Sequence, residues 1–163
     1  MVLKTKAHQS SRPGGLVGVI LRTALRVIQM IIALVIAGIY GQNLREAHSA
    51  GEPADSRWVF AEVVAGLSTI TAIVYLVPMV KSVKFFAWDA VLFLFWLILF
   101  GIFGKMYLSE DCEGSSKCES MKVAVWFDML GMIFWFSSTV GGAYMFWKER
   151  HSSSLYTGRG SVV

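Results

Sequence analysis

Four long apolar blocks, separated by short polar stretches, leave this chain few ways to fold. A bilayer core takes about 20 apolar helical residues to cross. The first block, VGVILRTALRVIQMIIALVIAGIY, runs from about Val17 to Tyr40. The second, WVFAEVVAGLSTITAIVYLV, covers Trp58 to Val77 and meets Pro78, which cannot donate to a helical ladder. The third, FFAWDAVLFLFWLILFGIFG, covers Phe85 to Gly104, and the fourth, VAVWFDMLGMIFWFSSTVGGAYMFW, covers Val123 to Trp147. Outer-membrane barrel strands would alternate polar and apolar residues over about ten positions. These blocks are apolar on every face. The expected fold is therefore an all-α membrane protein, an antiparallel bundle of four transmembrane helices over residues 17–147. A short segment, 1–16, precedes it and a disordered polar tail, 148–163, follows.

Composition agrees. Charged residues make up 16% of the chain, against about 25% in a soluble domain. The net charge of +4 raises the question of a nucleic-acid partner, but the basic residues flank apolar blocks and form no RNA-binding or zinc-finger signature. Their placement reads instead as topology. Lys4, Lys6, Arg12, Arg22, Arg26, Lys81, Lys84, Lys148, Arg150 and Arg159 fall on one side of the membrane. Arg45, Arg57, Lys105, Lys117 and Lys122 fall on the other. Ten against five places both termini in the cytosol. The first block is too long for a cleavable signal and lacks a small-residue cleavage pattern, so it is expected to stay as an anchor. The N-terminal Met-Val does not carry the glycine that myristoylation needs.

Both cysteines, Cys112 and Cys118, lie between the third and fourth blocks. This topology puts that loop in an oxidising compartment, so a disulfide is expected. Closing so small a ring stabilises by about 2 kcal/mol in the chain-entropy account. Aromatic residues near the block ends, Trp58, Phe60, Tyr75, Phe85, Trp88, Phe103, Trp126 and Trp147, suit an interfacial belt.

Three carboxylates sit inside the spans: Glu62, Asp89 and Asp128. Each costs roughly 2.5–3.5 kcal/mol at a helix centre and less near the ends. Asp89 lies about one turn from the cytosolic edge, at the same depth as Arg22 and Arg26, and an ion pair between spans one and three is expected there. Glu62 and Asp128 share the outer depth, where they would hydrogen-bond each other if one keeps its proton. These five residues read best as structural polar glue. A proton or cation site is the competing reading, although transporters place such sites near the midplane. Small residues mark surfaces for close helix approach: Ala33, Ala37 and Gly41; Ala61, Ala65, Ser68, Thr69 and Ala72; Ser137 with Gly141 and Ser138 with Gly142. Span three, bulky with Phe93, Phe95, Trp96, Leu97, Leu99 and Phe100, is expected to face lipid or a groove.

With these features in place, the chain resembles the MARVEL-domain proteins, in particular small fungal members. The resemblance spans about Val17 to Trp147. It rests on the four spans, the short basic N-terminus, and a third span, WDAVLFLFWLILFGIFGKMY, with Asp89, Trp96, Gly101 and Gly104. The fourth span, VAVWFDMLGMIFWFSSTVGGAY, and the two-cysteine outer loop fit as well. Claudin-like proteins carry a Trp and two Cys in the first outer loop. Tetraspanins carry a Cys-Cys-Gly in a large second loop, and connexin-type loops carry three cysteines each. This chain has none of these patterns.

The resemblance implies a role in membrane organisation, vesicle trafficking and specialised lipid domains, with no catalytic residues to carry over. His8, His48 and His151 lie far apart in terminal or loop segments, with no nucleophile–base pair, no metal cluster and no cofactor motif. The expectation is a non-enzymatic protein of the plasma membrane or endomembrane vesicles. Its partners would be the bilayer, anionic or sterol-rich lipids, other membrane proteins or a second copy, and not nucleic acid. The alternative is a small transporter or oligomeric channel using Glu62, Asp89 or Asp128. In the tail, Arg150 precedes Ser152 and Ser153 at a spacing that suits a basophilic kinase.

Overall fold

The computed structural model describes residues 15–76 and 86–156. It comprises α1 (Gly15–Ser49), α2 (Ser56–Leu76), α3 (Phe86–Tyr107) and α4 (Ser116–Tyr156). Each contains a stretch long and apolar enough to cross a bilayer. A helix satisfies its own backbone hydrogen bonds, which hydrocarbon cannot do for it.

Two helices run past their apolar blocks. α1 continues to Ser49 rather than ending at Tyr40 because the stretch from Gln42 through Ser49 contains neither Pro nor Gly. It stops where Glu52 N–H donates to Ala47 O at 3.0 Å and Gly51 N–H to His48 O at 3.2 Å. This closing turn puts Gly51 at φ +69°, a conformation that glycine adopts without a Cβ penalty. α4 starts at Ser116, seven residues before the expected Val123, so Cys118 lies in its first turn. Its other end corrects the expectation of an irregular tail from Lys148. The helix continues through Tyr156, in a stretch that has neither Pro nor Gly. α2 opens on Asp55, whose Oδ1 accepts the Arg57 N–H at 2.9 Å as an N-cap. The expected stop at Pro78, and the aromatic Phe85, lie outside the described residues, as do Lys4, Lys6, His8, Arg12, Lys81, Lys84 and Arg159.

α1 packs along α2, α3 packs along α4, and α1 against α4 joins the two pairs. The core holds Ile32, Ile36, Val64, Leu92, Leu99 and Val125 around two fully buried indoles, Trp96 and Trp135. Outward-facing Leu34, Val63, Ile70, Leu94, Ile98, Ile133 and Phe136 are exposed in the isolated chain. An apolar exterior of that extent suits hydrocarbon rather than water.

Span three does not simply present its bulk to lipid. Trp96 inserts against α4 at Gly131, where any Cβ would overlap the indole carbons Cδ2, Cε3 and Cζ3. Trp96 Nε1 donates to Ser68 Oγ on α2 at 3.0 Å, so one side chain ties three helices. Ala33, Ala61, Ala65, Ser68 and Ala72 are buried as small-residue contacts. Of the two Ser–Gly pairs on α4, Ser137 and Gly141 face outward, whereas Ser138 and Gly142 face the bundle. Phe103 is not at the interface but in the core, stacked on Tyr40 at 4.4 Å between centroids.

A buried polar network as the candidate functional site

An antiparallel bundle brings residues distant in sequence to common depths, and the polar ones form two layers. One lies toward the end that holds Gly15 and Tyr156, here the terminal end. The other lies toward the end that holds the disulfide.

The terminal layer is built on Arg26, which sits one turn below exposed Arg22 on α1. Arg26 is 5% exposed and Asp89 1%. Arg26 Nη2 donates to Asp89 Oδ2 at 2.7 Å, and Nη1 donates to Gln29 Oε1 at 2.9 Å. The Gln29 amide then donates to Phe134 O at 3.1 Å and to Ser138 Oγ at 2.9 Å on α4. The guanidinium also lies 4.4 Å from the Tyr75 ring centroid and 5.4 Å from that of Trp135. Arg26 therefore touches all four helices through a planar cation that can both stack and hydrogen-bond, a combination lysine does not offer. Arg22 does not share in this pair. Of the two candidate arginines, only Arg26 is buried, because α1 is exposed on every face from Val19 to Ala24 and becomes packed only from about Leu25.

The second layer corrects an expectation. Glu62 and Asp128 share no hydrogen bond. Asp128, fully buried, accepts the Tyr40 hydroxyl at 2.8 Å through Oδ2, and its Oδ1 has no partner. Glu62, partly buried on α2, lays Oε1 over Gly41, where a Cβ would come within 2.9 Å of that oxygen. α1 stands between them: adjacent residues on a helix point about 100° apart, so Tyr40 serves α4 while Gly41 serves α2. Asn43, one turn on, donates to Ile39 O at 3.0 Å and to Met121 Sδ at 3.8 Å.

Cys112 and Cys118 are joined in a disulfide, with Cα atoms 5.4 Å apart. Within the ring, Ser115 N–H donates to Cys112 O at 2.7 Å, and Gly114 takes φ +82°. The ring holds the entry to α4 near α1, where Lys117 Nζ meets Glu46 Oε2 at 2.6 Å on the surface. At the terminal end, Ser152 and Ser153 fall in the last turns of α4, and their side chains lie outside the described residues.

A match to the MARVEL family, described as a membrane-associating domain, covers residues 19–140. The chain belongs to the MARVEL family. No curated protein matches it significantly. The matched stretch of this MARVEL protein takes in Arg26, Gln29, Tyr40, Glu62, Asp89 and Asp128, so both polar layers lie within the family domain. It is an integral, multi-pass membrane protein in contact with the lipid bilayer. Sequence reasoning missed Gln29, Tyr40 and Ser68 as network members. A polar residue on an otherwise apolar helix face was the available signal for Gln29 and Ser68. Tyr40 gave none, because an aromatic at a block end reads equally well as a belt residue.

Proposed function

We propose that this MARVEL protein organises membrane, as a non-enzymatic four-helix scaffold working through lipid and protein contacts. One observation carries the reading. Four side-chain ties at membrane depth cross between helices of the same bundle: Arg26 to Asp89, Gln29 to Ser138, Tyr40 to Asp128, and Trp96 to Ser68. Polar side chains spent on interhelical ties hold a bundle together. A conduction path would need them to line a route for water or ions.

The lysine and arginine bias supports placing both termini in the cytosol and the disulfide ring outside. An oxidised Cys112–Cys118 pair agrees with a secretory-pathway membrane, either the plasma membrane or endomembrane vesicles. Phosphate on Ser152 or Ser153, shortly after Arg150, would weaken attraction to an anionic cytosolic leaflet. Vesicle trafficking and membrane apposition fit a protein of this class.

Reconstitution tests the reading directly. Proteoliposomes containing the full chain should pass protons and monovalent cations no faster than empty vesicles. Flux that disappears in Glu62→Gln and Asp128→Asn would replace the organiser with a transporter. In cells, a C-terminal tag with co-purification of neighbours should recover membrane proteins of one compartment.

A further inference from the structure

At the terminal end the bundle has an open apolar groove of about 450 Å³, lined by Phe86, Val140, Ala143, Tyr144, Phe146 and Trp147. Its origin is local. Gly142 lets the first turn of α3 press onto α4, because a Cβ there would come within 2.8 Å of Phe86 Cβ. Ala143 adds little bulk beside it, and the surrounding rings stand up as walls. Phe86 and Phe146 meet with centroids 5.4 Å apart. Tyr144 and Trp147 are strongly exposed, Trp147 at 69%.

Above these rings the chemistry changes within one turn. The Arg150 guanidinium lies over Phe146, 5.7 Å from its centroid, and the His151 imidazole sits edge-on to Trp147 at 6.0 Å. Both residues are exposed. Two rings of the groove thus each carry a nitrogen-bearing head group one turn farther along α4. The sequence runs from trough to cation along α4 as that helix leaves its apolar stretch.

We propose that this groove seats one acyl chain of an anionic phospholipid, with its phosphate on Arg150 and His151. The proposal rests on the organiser reading and adds to it a lipid class and a position. The apolar trough fits a hydrocarbon chain, and the adjoining cation and imidazole fit a phosphate one to two turns farther along the helix. Charge complementarity selects this occupant over a second copy of the chain. A phospholipid supplies an apolar chain for the trough and an anion for Arg150 at once. Lys148, Glu149 and Arg150 together leave one net positive charge in this turn, so preference for an anionic over a zwitterionic lipid is about fivefold rather than absolute.

The test uses the full chain in phosphatidylcholine bilayers, with trace spin-labelled phosphatidylserine or phosphatidylcholine as probe. Electron paramagnetic resonance reads the motionally restricted fraction of each. The wild type should restrict phosphatidylserine more strongly than phosphatidylcholine, by about fivefold at this site. Arg150→Gln combined with His151→Gln should reduce that preference while leaving total restriction near the wild-type level. Both positions are exposed, so the variant should fold. Ala143→Leu, which fills the trough, should lower restriction of both probes, and Lys117→Gln at the opposite end should change neither. Equal restriction of both lipids by the wild type would overturn the proposal. So would a preference undiminished in the Arg150 and His151 variant, or efficient cross-linking between copies through a cysteine at Trp147. None of these outcomes would produce ion flux, so the organiser reading fails or stands separately.

Discussion

Arg26 shows how one residue can set the geometry of a bundle. Its desolvation in hydrocarbon is costly, and Asp89, Gln29 and two aromatic faces together offset much of that cost, although Arg26 Nε has no hydrogen-bond partner. The pair should therefore behave non-additively. Asp89→Leu or Arg26→Leu alone should cost about 3 kcal/mol, since each leaves a buried charge unpaired. The double variant should lose much less. Unfolding in bicelles by a titrated denaturing detergent measures this cycle, and equal losses for single and double variants would remove the pair as a stabilising unit. Asp89→Asn keeps a hydrogen-bond acceptor and should insert normally yet lower thermal stability in detergent. At this scale, depth was legible in the sequence: Asp89 and Arg26 could be set at one edge by counting turns. The choice of Arg26 over Arg22 was not, because where along α1 the packing begins is settled by the other helices. Helix rotation likewise sets Glu62 and Asp128, matched in depth, against different faces of α1.

For the elements, hydropathy located the four helices but misplaced their ends. Apolar runs stop at the membrane surface, whereas helices stop at a cap or a breaker. α1 therefore reaches Ser49, and α4 reaches Tyr156. Packing between elements turns on particular small residues, and the two glycines Gly131 and Gly66 separate propensity from fit. Gly131→Ala would drive a methyl into Trp96 and should cost about 1–3 kcal/mol by overpacking. Gly66→Ala, with open space around it, should be neutral or stabilise by up to about 1 kcal/mol. The same detergent titration measures both, and a Gly131→Ala variant as stable as Gly66→Ala would deny the Trp96 seat. Gly131 was invisible in the sequence as a contact because its counterpart, Trp96, lies on another helix and has no fixed spacing from it.

As a whole molecule, the protein is a bundle whose apolar exterior and inward polar ties are matched to hydrocarbon. It should resist extraction from membranes by alkaline carbonate. On the proposed orientation, with both termini in the cytosol, an impermeant maleimide applied to intact cells should label a cysteine placed at Glu52 and miss one placed at His151. Labelling of the His151 position from outside would invert the topology and move the lipid groove to the other leaflet. These outcomes depend on where charge sits along the chain, so they are consequences of sequence more than of packing.

The sequence alone determined the solvent, the number of crossings, the depth of each carboxylate and the chemistry of the disulfide loop. All of these follow from the one-dimensional distribution of apolar, charged and cysteine residues. Only the tertiary structure decided which face of each helix turned inward. That choice brought Gln29 to Ser138, Tyr40 to Asp128 and Trp96 to Gly131, and it opened the groove beside Phe86. Helices that are apolar all round carry almost no rotational signal of their own. Rotation is fixed by the few polar groups that must find partners and the few glycines that make room for rings.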